Sequence, residues 1–234
     1  MDGWQPDVNV LDRSPIEKRK RLRSWREITG ITLHQTGIHG FAASAWPRAT
    51  CHLGVHSDGH VYWVHPLRSL IWASDAFNRD TVAIEVAGNF RGDEAVPGSF
   101  WAGGGGPSQL SEAMIAGLRN AIRFIVDEAK RGGGAISHIY AHRQAIRGKS
   151  LCPGQQIWRA GGVWARETLR LSSGGPGYTR GDGLPIPAAW DGAAPRAQGP
   201  AAGDSFDVTC STAELDQEFP DPDEENCCMP DEPG

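Results

Sequence analysis

Two short segments more than a hundred residues apart restrict this chain more than anything else in it: Ile31-Thr-Leu-His34-Gln-Thr-Gly37, and His138-Ile-Tyr-Ala-His142 with its continuation to Ser150-Leu-Cys152-Pro-Gly154. Each begins as a β-branched or apolar run and leaves it at a histidine, so His34 and His142 are both predicted at strand ends. Cys152 follows in a tight Cys-Pro-Gly turn. A fold that sets the two strand ends side by side gathers two imidazoles and a thiolate around one point. The fourth tetrahedral position is then open, which is the donor set of a catalytic rather than a structural zinc. One Zn2+ per chain, held by His34, His142 and Cys152, is therefore expected, and with it hydrolytic chemistry.

The chain has eight histidines, and spacing separates them. His138 and His142 are four apart, the spacing of a helical metal pair. Ile-Tyr-Ala between them reads as strand, however, and four residues of strand span about 13 Å, too far for two rings to share an ion. His142, at the exit nearest Cys152, is the ligand, and His138 a half-buried strand residue. The same distance separates His52 from His56. His52 is the one placed to face a groove and touch substrate, against plain packing; His60 and His65 fall on the strand that follows, and His39 in a loop. A cysteine-nucleophile site, with Cys152 activated by His142 or His34, is the rival chemistry. It is disfavoured because the Cys-Pro-Gly turn does not present a nucleophile at a helix start.

Around these segments the pattern alternates strand and helix signals. Residues 50–57 and 60–65 flank Asp58-Gly59, a tight hairpin signal, and 81–87 is a further strand. The Gly-rich stretch 88–106 is a long loop of the kind that walls a groove. From Ser111, as N-cap, a helical period runs through Met114, Ile115, Leu118, Ile122, Ile125 and Ala129 until Gly132-Gly-Gly134 ends it. A strand over 135–142 and a weaker helix over 157–171 follow.

Residues 172–234 hold 13 of the 28 acidic side chains but only Arg180 and Arg196 of the 23 basic ones, a balance of −11 that leaves +6 over residues 1–171. The basic body favours an anionic polymer such as a cell wall. The run Lys18-Arg-Lys-Arg-Leu-Arg23 is short and sits in no nucleic-acid motif, so nucleic acid is not an expected partner. Three divisions follow: a polar leader over 1–24, a catalytic domain over 25–171, and an acidic, Pro/Gly-rich, disordered tail over 172–234 that could engage a protein partner for secretion or as an adaptor. Cys51, Cys152, Cys210, Cys227 and Cys228 are too irregular for a disulfide framework. No apolar stretch makes a signal-peptide core or a membrane span, so synthesis in the cytoplasm is expected.

The ordered set of Ile-Thr-Leu-His34-Gln-Thr-Gly, the His56-Ser-Asp-Gly-His-Val-Tyr62 hairpin, Val82-Ala-Ile-Glu-Val86, and Ala141-His-Arg-Gln followed by Cys-Pro-Gly resembles the zinc-dependent N-acetylmuramoyl-L-alanine amidases related to peptidoglycan recognition proteins. The resemblance runs from about residue 28 to 171. It implies an α/β fold with a mixed central sheet flanked by helices, a peptidoglycan or muropeptide groove, and metal ligands at His34, His142 and Cys152. Binding-only members commonly lack the cysteine, so its presence implies an enzyme; a non-catalytic peptidoglycan-recognition module is the alternative.

Glu85 falls where cytosolic recycling members carry a catalytic glutamate, and its neighbours Ile84 and Val86 would point to the opposite, core face. Lys149 stands one step further from the third ligand than the family's usual lysine, a place taken here by Ser150, and is implied to assist at the oxyanion. Trp72, Asn78 and Asn89 flank the implied groove and could bind glycan or peptide. The chain departs from the family pattern at Cys51, where phage-type members have Tyr, and at Ile71-Trp-Ala-Ser74, where the family's Trp-His-Ala has a histidine. The resemblance leaves two settings: a recycling enzyme acting in the cytoplasm, or a bacteriolytic one acting on the wall after holin- or secretion-system-dependent release.

Overall fold

The structure is a computed structural model, and it describes residues 3–192. Eight strands are present among them: β1 (Val8–Asn9), β2 (Arg21–Leu22), β3 (Gly30–Gln35), β4 (Leu53–Val55), β5 (Val61–Trp63), β6 (Ser69–Leu70), β7 (Thr81–Val86) and β8 (His138–Ala141). Six form one mixed sheet in the order β1-β5-β4-β7-β3-β8, and β2 pairs with β6 in a separate two-stranded ribbon. In the main sheet only β4 and β5 are antiparallel neighbours, joined through the predicted turn: the His56 amide donates to His60 O, and Gly59 takes a φ of 88° that its missing Cβ permits.

Strand β3 is buried on both faces, as a central strand of a largely parallel sheet should be. Its alternation sorts side chains to two sides. Leu33, Ile84 and Leu53 enter the main apolar core with Leu118, Ile122 and Ile125 of α1 (Glu112–Arg131). Helix α1 starts where the sequence predicts, with the Ser111 side chain accepting from the Met114 amide, and its basic last turn and Gly132 close it. The second helical run comprises α2 (Gln155–Ile157), a π-helical stretch Trp158–Val163, and α3 (Trp164–Thr168). It also packs into the core, through Ile157, Trp158 and Ala165.

On the other face lie His34, Glu85 and Gly54. Gly54 has to be glycine because a Cβ there would fall 2.3 Å from the indole of Trp46, which is fully buried over this part of the sheet.

Both expected ends need correction. The leader is not merely polar: Val8 pairs with Tyr62 at the sheet edge, Val10 is buried, and Arg23 is fully buried as a cation wrapped by main-chain oxygens. Two-residue strands are too short to show a period, which is why the sequence hides them. Residues 172–192 are likewise built into the domain. Ser172 bridges His138 at the open edge of β8, Arg180 pairs with Asp80, and the Trp190 indole is fully buried with its N–H donated to Gly92 O. Average composition in that stretch is too polar for a core of its own, yet a few anchors suffice to dock it on a core already present. The acidic stretch beyond Gly192, with Cys210, Cys227, Cys228 and the expected partner-binding tail, lies outside the described residues. Among the described residues no helix is long and apolar enough to cross a membrane.

Replacing Trp190 with Ala should lower the free energy of unfolding by about 3–5 kcal/mol, as for other fully buried tryptophans. Urea denaturation reads this directly, and an unchanged midpoint would mean that the docked segment adds nothing to the fold.

Candidate metal centre and catalytic residues

The register of three parallel strands builds the site. His34 on β3 stands opposite Glu85 on β7, and Glu85 opposite Gly54 on β4. On the other side β3 pairs with β8 up to Leu33 and Ala141, so His142, the next residue, leaves β8 beside His34. Side chains directly opposite in a sheet share a face, so His34 and Glu85 point the same way, and His142, one residue past the end of β8, joins their row through its contact with His34. Cys152 enters from the loop after β8. That loop is folded back by hydrogen bonds from the Arg143 amide to Cys152 O and from the Cys152 amide to Lys149 O, and the Gln35 side chain ties it to β3 by donating to Leu151 O and Phe90 O.

One ring nitrogen of each histidine and the Cys152 Sγ lie within 4.8 Å of one another, and all three residues are buried. The two Nδ1 atoms face each other at 2.9 Å. Each Nε2 has its own partner: Ser74 Oγ at 2.9 Å from His34, and Asp75 Oδ2 at 2.6 Å from His142. Ligand bonds of about 2.0–2.3 Å arranged tetrahedrally would set donor atoms roughly 3.3–3.8 Å apart, between the observed limits. The set therefore fits zinc in number, type and spacing, with the outer nitrogens anchored as metal-binding imidazoles require.

Electrostatics agree with that role. Desolvation holds His34 well below its ordinary pKa, with the neighbouring His142 and Lys149 adding to the effect. His142 is also lowered, mainly by burial, while Asp75 opposes. Both rings are thus held neutral, the form that binds metal. The Asp75 carboxyl is held below the usual range, first by its hydrogen bond from His142. Glu85 is shifted the other way, to about 8, by desolvation, and the Lys149 charge pulls it back only in part. Lys149, half-buried, is thus close enough for its charge to be felt at His34, His142, Asp75 and Glu85.

The structure does not bring every expected residue into the site. His52 is buried with both ring nitrogens occupied, Nδ1 accepting from the Ala83 amide and Nε2 facing Ser69 O at 2.8 Å, so it braces strands. Asn78 is buried and caps the turn before it, its Oδ1 accepting from the Ala73 and Ser74 amides. Asn89, fully buried, pins the long loop through Trp101 and Gly105. These polar side chains flank the groove in sequence, but main-chain groups of neighbouring strands, turns and loops claim them first. Trp72 is 55% exposed and remains available. His138 is the half-buried strand histidine expected, stacked on Tyr140.

Sequence reasoning missed Ser74, Asp75 and Gln35. The available signal was the departure at Ile71-Trp-Ala-Ser74, which marks this turn as chemically altered.

Residues 24–155 match the family described as N-acetylmuramoyl-L-alanine amidase (Amidase_2). No curated protein is significantly similar in sequence. Similar solved structures include the endolysin amidase LysCS from Clostridium intestinale URNW, 14% identical with a TM-score of 0.47, over 70% of this chain and 95% of that one. The Ph2119 endolysin of Thermus scotoductus MAT2119 bacteriophage Ph2119 is 20% identical with a TM-score of 0.44, over 66% and 97%. Bumblebee PGRP-SA is 13% identical with a TM-score of 0.49, over 72% and 98%.

Glu85→Gln should stabilise the metal-free protein in a pH-dependent way. Between the ordinary carboxyl pKa of 4.5 and about 8, the folded protein keeps a proton that the unfolded chain has released, so stability falls as pH rises through that window. Glutamine mimics the protonated acid, so its advantage in Tm should be absent near pH 4, grow to about pH 8 and then level off. A difference in Tm that does not change with pH would contradict the desolvated placement of the half-buried Glu85.

Proposed function

Because the chain belongs to the N-acetylmuramoyl-L-alanine amidase family, we propose that it hydrolyses the amide between the lactyl group of N-acetylmuramic acid and L-alanine in peptidoglycan or muropeptides, as a zinc enzyme. The observation that carries this reading is the row His142–His34–Glu85 with Cys152 beside it: a three-donor metal set and a carboxyl of raised pKa on one face of the sheet. A module that only bound glycan would need neither.

His34, His142 and Cys152 would hold the zinc, which when bound supplies a Lewis acid for the scissile carbonyl and acidifies the attacking water. Glu85 accepts the water proton and returns it to the departing amine of L-alanine. Its desolvation suits both halves of that transfer, because a group titrating at about 8 can take a proton and give it back near neutral pH. The Lys149 charge favours the carboxylate before attack. The Lys149 ammonium, fixed near the same face by its loop, stabilises the negative charge that develops on the carbonyl oxygen. Trp72, exposed near the turn that carries Ser74 and Asp75, offers an apolar face for a sugar ring or stem peptide. The +6 balance of residues 1–171 suits an anionic wall polymer.

Two variants separate the roles. Cys152→Ala should lose tight zinc binding and turnover together. Glu85→Gln should keep zinc affinity while kcat on a soluble muropeptide falls by about 10²–10⁴-fold. Full activity in either variant contradicts the mechanism.

A further inference from the structure

The two partners of the histidine Nε2 atoms come from a single turn, and its geometry is unusual. Asp75 has a φ of 47°, in the left-handed region that residues other than glycine rarely enter. The turn is held from beneath: Asn78 caps the Ala73 and Ser74 amides, and the buried Arg23 guanidinium donates to Asn78 O and Thr81 O. A strained residue fixed this firmly presents its carboxylate to His142 at 2.6 Å while Ser74 faces His34 at 2.9 Å.

The two partners differ in what they can do. An ionised carboxylate only accepts, whereas a hydroxyl both donates and accepts. With Asp75 accepting, His142 carries its proton on Nε2 and keeps the Nδ1 lone pair facing inward. The contact of 2.9 Å between the two Nδ1 atoms then requires His34, before metal binding, to donate from Nδ1, and its Nε2 to accept from the Ser74 hydroxyl. For His34 to bind metal through Nδ1, its proton must move to Nε2, and Ser74 must turn from donor to acceptor. The net protonation of the His34 ring does not change.

We infer that Asp75 and Ser74 are positioning residues for the metal ligands, Asp75 locking the tautomer of His142 and Ser74 allowing that of His34 to exchange when zinc arrives. This inference rests on the zinc reading of the His34–His142–Cys152 cluster, and it adds the residues that decide which ring nitrogens are offered. The strain at Asp75 is then part of the site, because it aims the carboxylate at His142.

The test measures zinc affinity by competition with a chromophoric chelator, and histidine tautomers by nitrogen-15 NMR of the metal-free full-length protein. The parent should show His142 protonated at Nε2. D75A should mix the His142 tautomers and bind zinc about 10–100-fold more weakly. D75N, which can accept but no longer carries charge, should fall between, and it carries the test if D75A does not fold. S74A should weaken zinc binding, and S74T, which keeps the hydroxyl, should restore it. Zinc affinities and tautomers equal to the parent's in D75A and D75N would overturn the role of Asp75, and equal affinity of S74A would overturn that of Ser74, with the zinc reading intact. A parent that binds no zinc would overturn both readings. Zinc binding without amide cleavage would contradict only the proposed reaction.

Discussion

The in-phase register of β8, β3 and β7 is the constraint on which the site depends. Parallel strands in register put equivalent positions on one face, so a single alignment sends His34 and Glu85 to one side, where His142 joins them as it leaves β8, and Ala141, Leu33 and Ile84 to the side of the helices. A slip of one residue in β3 would bury His34 among the leucines and turn Leu33 toward the metal site. The apolar core that fixes this register and the polar row that uses it are therefore two faces of one arrangement.

The loops then complete the site through polar side chains spent on backbone. Arg23 carries a buried charge, its pKa lowered to about 10 by desolvation, and it is satisfied by carbonyl oxygens of the segment between Leu67 and Thr81. That segment holds Ser74 and Asp75. Gln35 joins the Cys152 loop to the strand of His34, and Gln144 holds the turn after β8 by donating to Ser173 O and Tyr178 O. Residues far apart in the chain thus converge on the same few ångströms, and segments outside the match to the family, before residue 24 and after residue 155, contribute to holding it.

What could be read in the sequence follows a physical divide. The strands around His34 and Glu85, the Asp58-Gly59 hairpin and α1 each have a period or a turn signal of their own, and spacing together with position at strand ends singled out His34 and His142 among the eight histidines. Short strands such as Val8–Asn9, and the segment that ends in Trp190, have no local signature, because their order comes from a core built elsewhere. His52, Asn78 and Asn89, expected at substrate, are spent on main-chain groups instead, for a related reason. A polar residue near a groove looks the same in sequence whether it points to substrate or satisfies a buried amide, and only the traced hydrogen bonds distinguish the two. Asp75 was hidden because its importance lies in a backbone angle.

The central claim is that this row of residues cleaves the amide bond at the start of the stem peptide with the help of a metal. Its most direct test is digestion of purified peptidoglycan sacculi by the full-length protein, with and without a zinc chelator, followed by mass spectrometry of the soluble products. The account predicts free stem peptides beginning with L-alanine, lost on chelation and recovered when zinc is restored. Binding to sacculi with no such peptides released by the zinc-loaded protein would contradict it.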